Sequence, residues 1–196
     1  MAAGTLQELW LNTRAVFDAN DLPVPLSHLT SLAVHAGYGV LSRITTPNLR
    51  RLALECGELD SSISWFLRQV SKTVTELTLE GTTIGSDHLS VILGLSNIER
   101  LSFASTGTDD YRVTDAFFAR LADTLPPIWP KLQSISLSSH GRYILPDGDG
   151  LIRLVRARNI DSGSAVGDGG PCRLTEVDVR YKEVPDWIKA TLENLL

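Results

Sequence analysis

The sequence predicts an α/β fold: a curved parallel sheet stacked from about seven irregular strand–turn–helix repeats, with the sheet on the concave face and the helices on the convex face. Two observations carry this reading. Leu, Ile, Val, Phe or Met recurs at positions i, i+3 and i+5 seven times, and in all seven the intervening positions hold none of those residues. A shuffled chain of this composition gives about two such matches. Between the matches lie stretches whose apolar residues follow helical spacing.

The triplets are Leu6/Leu9/Leu11, Leu29/Leu32/Val34, Leu49/Leu52/Leu54, Val74/Leu77/Leu79, Ile98/Leu101/Phe103, Leu132/Ile135/Leu137 and Leu174/Val177/Val179. Their middle positions are spaced by 23, 20, 25, 24, 34 and 42 residues. Each interval leaves room for the crossover that successive parallel strands need. Ile63, Phe66, Leu67 and Val70 form a helical stripe behind the cap candidates Asp60 and Ser61. Ser86 precedes Leu89, Ile92 and Leu93; Thr114 precedes Phe118, Leu121, Ala122 and Leu125; Asp149 precedes Leu151, Leu154 and Val155. Pro185 opens a last helix carrying Ile188, Leu192 and Leu195, which is expected to close the C-terminal end. Pro47, Pro130 and Pro171 stop the preceding helices just before three of the strands. A doubly wound sheet is the rival fold. Its buried strands would read as continuous apolar runs, whereas these carry polar residues at fixed places.

Composition bounds the function. The chain has 196 residues, 43 % of them apolar, with 18 Lys+Arg against 23 Asp+Glu and a net charge of -5. That suits one soluble domain, residues 1–196, and argues against a general nucleic-acid binder. No apolar run approaches the length of a membrane span, and no secretory signal is visible, so an intracellular protein, cytoplasmic or nuclear, is expected. Cys56 and Cys172 make neither a disulfide framework nor a zinc site and read as inert packing residues. His28, His35, His88 and His140 form no paired helical motif. No catalytic constellation, cofactor motif or metal site emerges, and a non-enzyme is expected. The run 161–170 is rich in Gly, Ser and Asp, and Pro171 with a strand follows it rather than a helix. It reads as a flexible insertion, not a phosphate loop.

The segments TPNLRRLALECGELD, VTELTLEGTTIGSDHLSVILGLSNIERLSF and WPKLQSISLSSHGRYILPDGDGLIRLVRARN, with VPDWIKATLENLL at the end, resemble a leucine-rich-repeat protein. More narrowly they resemble the repeat region of fungal F-box/leucine-rich-repeat proteins. The likeness spans nearly the whole chain. It departs from the standard repeat at the ninth position, where Asn or Cys is replaced by Arg14, Gly37, Gly57, Thr82, Thr106, His140 and Lys182, so irregular turns are expected. No F-box is expected within these residues, because the first repeat begins at Leu6. The resemblance implies a protein-interaction module, the substrate-recognition part of an F-box-type ubiquitin-ligase receptor. A link to the cullin adaptor is expected only if an F-box lies upstream. The alternatives are a stand-alone binding or structural module with no ubiquitin role, and a GTPase-activating or other enzyme-regulating repeat protein. The last needs a projecting catalytic arginine, and none is singled out.

A protein partner is expected on the concave sheet, where equivalent repeat positions line up. One column reads Ser31, Arg51, Glu76, Arg100, Ser134, with signs that alternate. The column two residues on reads His35, Glu55, Glu80, Ala104, with two like charges adjacent. Trp10 occupies the outward slot where other repeats hold Ala33, Ala53, Thr78, Ser102, Ser136 and Asp178. It reads equally as a binding anchor or as a cover for the end of the stack. Trp10, His35, Glu55 and Glu80 are the candidate patch for a basic segment of a partner, with Arg51, Glu76 and Arg100 beside them. The first strand has no helix before it, so self-association through its edge is also expected. Replacing residues 161–170 by a shorter Gly/Ser linker is predicted to leave stability within about 1 kcal/mol, since loop-closure entropy changes slowly with length; equilibrium urea unfolding checks this.

Overall fold

The computed structural model describes residues 5–12, 23–56, 59, 61–81, 86–105, 115–139, 148–161, 170–180 and 184–196. Residues 162–169 of the insertion, Asp60, Thr114 and all the ninth-position residues except Gly37 lie outside them. The chain forms two compact units, Met1–Asn97 and Ile98–Leu196. Both are α/β, built on parallel strands with helices between them.

In the first unit, β1 (Glu8–Asn12) leads to the short β2 (Val24–Pro25) and then to β3 (Ser31–His35). A 3-10 helix (Tyr38–Arg43) and the short β4 (Ile44–Thr45) precede β5 (Arg51–Glu55). Helix α1 (Ser61–Val70), β6 (Glu76–Glu80) and α2 (Ser86–Leu93) follow. Strands β1, β3, β5 and β6 pair in parallel with no offset between repeats: Leu9, Leu32, Leu52 and Leu77 lie side by side, as do Leu11, Val34, Leu54 and Leu79. The triplets of β3, β5 and β6 are buried, none more than 3 % exposed. Ile63, Phe66, Leu67 and Val70 of α1 are buried as their spacing predicts, while Trp65 faces solvent. The first triplet differs, since Leu6, Leu9 and Leu11 are only half-buried.

The second unit repeats the plan with β7 (Arg100–Ser105), α3 (Asp115–Asp123), β8 (Ser134–Ser139), α4 (Asp149–Arg156), β9 (Glu176–Arg180) and α5 (Asp186–Leu195). Leu101, Ile135 and Val177 are neighbours in register, and so are Phe103, Leu137 and Val179. Phe103, Phe117, Phe118 and Trp129 pack edge-on or tilted, with ring centroids 5.4–6.4 Å apart. Phe103, Phe118 and Trp129 of this cluster are buried core residues.

A backbone device repeats at the entries of β3, β5, β6, β8 and β9. Thr30 and Ser31 both donate N–H to Gln7 O, Arg50 and Arg51 to Thr30 O, and Thr75 and Glu76 to Arg50 O. Gln133 and Ser134 do the same to Glu99 O, and Thr175 and Glu176 to Gln133 O. The hydroxyls of Thr30, Thr75 and Thr175 add a bond to that same carbonyl. In the first unit the strand exits repeat as well. Ala36, Cys56 and Gly81 follow β3, β5 and β6 in left-handed backbone, with φ of 48°, 49° and 54°. Glycine takes that conformation freely; alanine and cysteine carry strain there.

A π-helical turn, Ala157–Asp161, ends α4 and turns two polar residues inward. Asn159 Nδ2 donates to Leu174 O and Leu195 O, both at 2.9 Å, and its Oδ1 accepts from Leu174 N at 2.8 Å. One side chain thus ties the end of α4 to the entry of β9 and the end of α5. Arg158 Nη2 donates to Ile128 O. Burial holds the Arg158 guanidinium below the usual arginine range, and nearby Cys172 acts in the opposite sense. Replacing Asn159 with Ala strands buried backbone groups and should cost about 2–4 kcal/mol. Urea unfolding of Asn159→Ala against the parent measures it.

Candidate protein-binding surface

The face of the first unit opposite the buried triplets follows directly from the zero-offset register. Its middle column is Trp10, Ala33, Ala53 and Thr78. On one side runs Glu8, Ser31, Arg51, Glu76, and on the other Asn12, His35, Glu55, Glu80. The small middle column forms a shallow furrow between two polar rows. Trp10 stands at one end of it, 60 % exposed.

Contacts within the rows order some of these side chains. Arg51 Nη2 reaches past Ser31 to Glu8 Oε1 at 2.5 Å. Both groups are well exposed, so solvent screens the pair. His35 Nδ1 lies 3.5 Å from Glu55 Oε2, an ion pair only when the imidazole is protonated. The Tyr38 hydroxyl donates to the Glu55 carbonyl at 3.3 Å and steadies the end of β5. Glu80 stands directly opposite Glu55 in the register, so two carboxylates share adjacent strands.

Six of the seven candidate residues therefore lie on one face of the first unit. Arg100 belongs to the second unit, at the start of β7 and in register with Ser134, whose hydroxyl donates to Glu176 Oε2 at 2.9 Å. Glu8 is a member of the charged row that the sequence reading passed over. It holds the same repeat position as Arg51 and Glu76, and extending the column one repeat back finds it. Tyr38 has no such signal, because it lies in the 3-10 helix that periodicity does not mark.

The second unit carries a separate groove of about 790 Å³ along α3, α4 and α5, with Asp123, Asp149, Arg153, Arg156 and Trp187 on its walls. Arg153 Nη2 contacts Asp123 Oδ1 at 2.8 Å, so its charges are largely balanced internally. Among the described residues no group of three His, Cys, Asp or Glu is placed to hold a metal ion, and no helix is long and apolar enough to cross a membrane. Comparison with protein-family models, with curated proteins and with solved structures returns no match, so the reading of the surface rests on the chain's own residues.

Because the Arg51–Glu8 pair is exposed at both ends, Arg51→Ser should change stability by less than about 1 kcal/mol. A thermal melt displaced by more than a few degrees would show that Arg51 holds the sheet together rather than decorating it.

Proposed function

We propose that the chain is a leucine-rich-repeat solenoid acting as a protein-interaction module. In this reading it is the substrate-recognition part of an F-box-type ubiquitin-ligase receptor, with its partner on the exposed sheet face. The observation that carries the reading is the ordered face of the first unit. A furrow of Ala33, Ala53 and Thr78 is flanked by charged rows, with an exposed Trp10 at its end. Small side chains let a ligand approach the sheet closely. An exposed aromatic supplies an apolar anchor, and the charges around it set register and sign. Paired in register, Glu55 and Glu80 favour a basic segment. A lysine or arginine placed between them relieves their mutual repulsion as it binds.

A lysine-rich peptide carrying one aromatic residue is a suitable probe. Glu80→Ser should weaken its binding about three- to tenfold at low salt and less at physiological salt, because screening reduces the contribution of a single charge. The same substitution should shift the melting temperature by no more than a few degrees, since the position lies on the solvent-facing side of the sheet. Peptide binding indifferent to both Glu80→Ser and salt would move the partner site off this face. Co-purification with the cullin adaptor, tested on the longest natural form of the protein, separates a ubiquitin-ligase receptor from a repeat module with other duties.

A further inference from the structure

We infer that the free edge of β1 is a self-association edge, and that two copies of this chain pair there antiparallel across a two-fold axis through Trp10. This goes beyond the partner reading above and does not rest on it. Among the described residues, β1 has one paired neighbour, β3. Gln7 O accepts from Thr30 and Ser31, so Gln7 points its backbone toward β3. Backbone groups alternate sides along a strand. Leu9 and Leu11 therefore also point toward β3, and Glu8, Trp10 and Asn12 present their N–H and C=O groups to the open edge.

A closed two-fold interface requires an edge complementary to itself. The strand Glu8-Leu9-Trp10-Leu11-Asn12 meets that requirement in one register. Centred on Trp10, an antiparallel copy sets Trp10 opposite Trp10, Glu8 opposite Asn12, and Leu9 opposite Leu11. All three outward-facing residues then fall in hydrogen-bonded pairs, giving six backbone bonds. Shifting the centre to Leu9 or Leu11 leaves two such pairs and four bonds. The Trp10-centred register also sets each carboxylate against an amide rather than another carboxylate. Glu8 already leans toward Arg51 on its own sheet, so it brings no unrelieved charge to the edge.

Side-chain burial points the same way. In β3, β5 and β6 the core-facing triplets are buried, whereas in β1 Leu9 and Leu11 are half-exposed. A perpendicular two-fold axis keeps the sheet faces matched, so Leu9 meets Leu11 of the other copy on the core side. Leu–Leu contacts form at the non-hydrogen-bonded positions, where side chains come closest. The two Trp10 rings become cross-strand neighbours on the opposite face. No proline interrupts β1, and among its five residues the one charged side chain is engaged with Arg51. Among the described residues, neither a proline nor an unpaired charge on β1 blunts this edge. Five residues a side is a small contact, so the pair should form reversibly at tens to hundreds of micromolar, roughly.

The test uses the full chain. Sedimentation velocity should show a monomer–dimer equilibrium that shifts with concentration up to about 0.5 mM. Trp10→Pro removes the outward N–H at the centre without touching the bonds to β3, and should leave a folded monomer. Trp10→Lys, which sets two cations face to face, should do the same and keeps the experiment decisive if the proline variant fails to fold. Register is read by cysteine cross-linking. Opposed hydrogen-bonded residues lie about 5.5 Å apart, within disulfide reach. Under mild oxidation Trp10→Cys should give a dimer in which peptide mapping joins position 10 to position 10, whereas Glu8→Cys should give no 8-to-8 link. A parent that stays monomeric, dimers that survive Trp10→Lys, or an 8-to-8 link formed as readily as the 10-to-10 link would each overturn the inference.

Discussion

Gln7, Thr30, Arg50, Glu99 and Gln133 each offer one carbonyl oxygen to two successive N–H groups of the next strand. This shared acceptor fixes where each strand begins relative to the one before it. Side chains alternate along a strand, so a slip of one residue would turn every triplet outward. With the entry fixed, Leu32, Leu52 and Leu77 superpose, their triplets fuse into one buried stripe, and α1 closes over part of it. A single strand with three apolar side chains has no stability of its own. It acquires some only from a neighbour that supplies both a carbonyl and a surface. The threonines at 30, 75 and 175 add a hydroxyl bond to the same oxygen, which gives the polar residue after the first apolar residue a role in those three triplets.

The same register decides the solvent face. Equivalent positions of successive repeats become lateral neighbours, so any bias at one position is multiplied into a row. Small residues at the central position make a furrow; acidic residues at the strand end make the Glu55–Glu80 juxtaposition. A lone surface glutamate would be a solvated charge of little consequence. Two in register are a feature that a ligand can read.

The triplets were legible because burial of a half-strand demands fixed spacing, and spacing is what a sequence displays. Among the described residues all seven correspond to strands, and the five helices carry the predicted stripes except at Leu125, which lies past the end of α3 and is 86 % exposed. Burial weakens at the ends, where Leu9, Leu11, Val177 and Val179 have fewer neighbours to cover them; periodicity is blind to that. The strand exits were half-legible. Gly81 announces a left-handed turn, but Ala36 and Cys56 adopt it with no glycine to signal it. Tertiary bonds from Ala36 N to Glu55 O and from Cys56 N to Glu80 O hold that backbone in place. Cys56 is therefore half-exposed at a turn rather than the packing residue its size suggests. Asn159 was invisible for another reason. Its partners Leu174 and Leu195 lie 15 and 36 residues away, and nothing local marks an asparagine that will be buried by a π-turn.

Edge and face meet at Trp10 without competing for it. Pairing through the edge of β1 would consume the backbone groups of Glu8, Trp10 and Asn12 and the core-side surface of Leu9 and Leu11. It would leave the Trp10 ring on the furrow side, beside its counterpart. A two-fold axis there would place two furrows next to one another, joined by a pair of indoles, in a single surface with twice the binding positions. A partner bearing two basic segments would engage both copies, and the second contact would be made at the effective concentration set by the first. The association energy of a five-residue edge is small, but a bivalent partner adds its own differential affinity for the paired state, and linkage requires that pairing tighten the partner by the same factor. A weak edge beside a weak face can thus yield a tight complex only when both are used, which makes occupancy depend on protein concentration as well as on partner sequence.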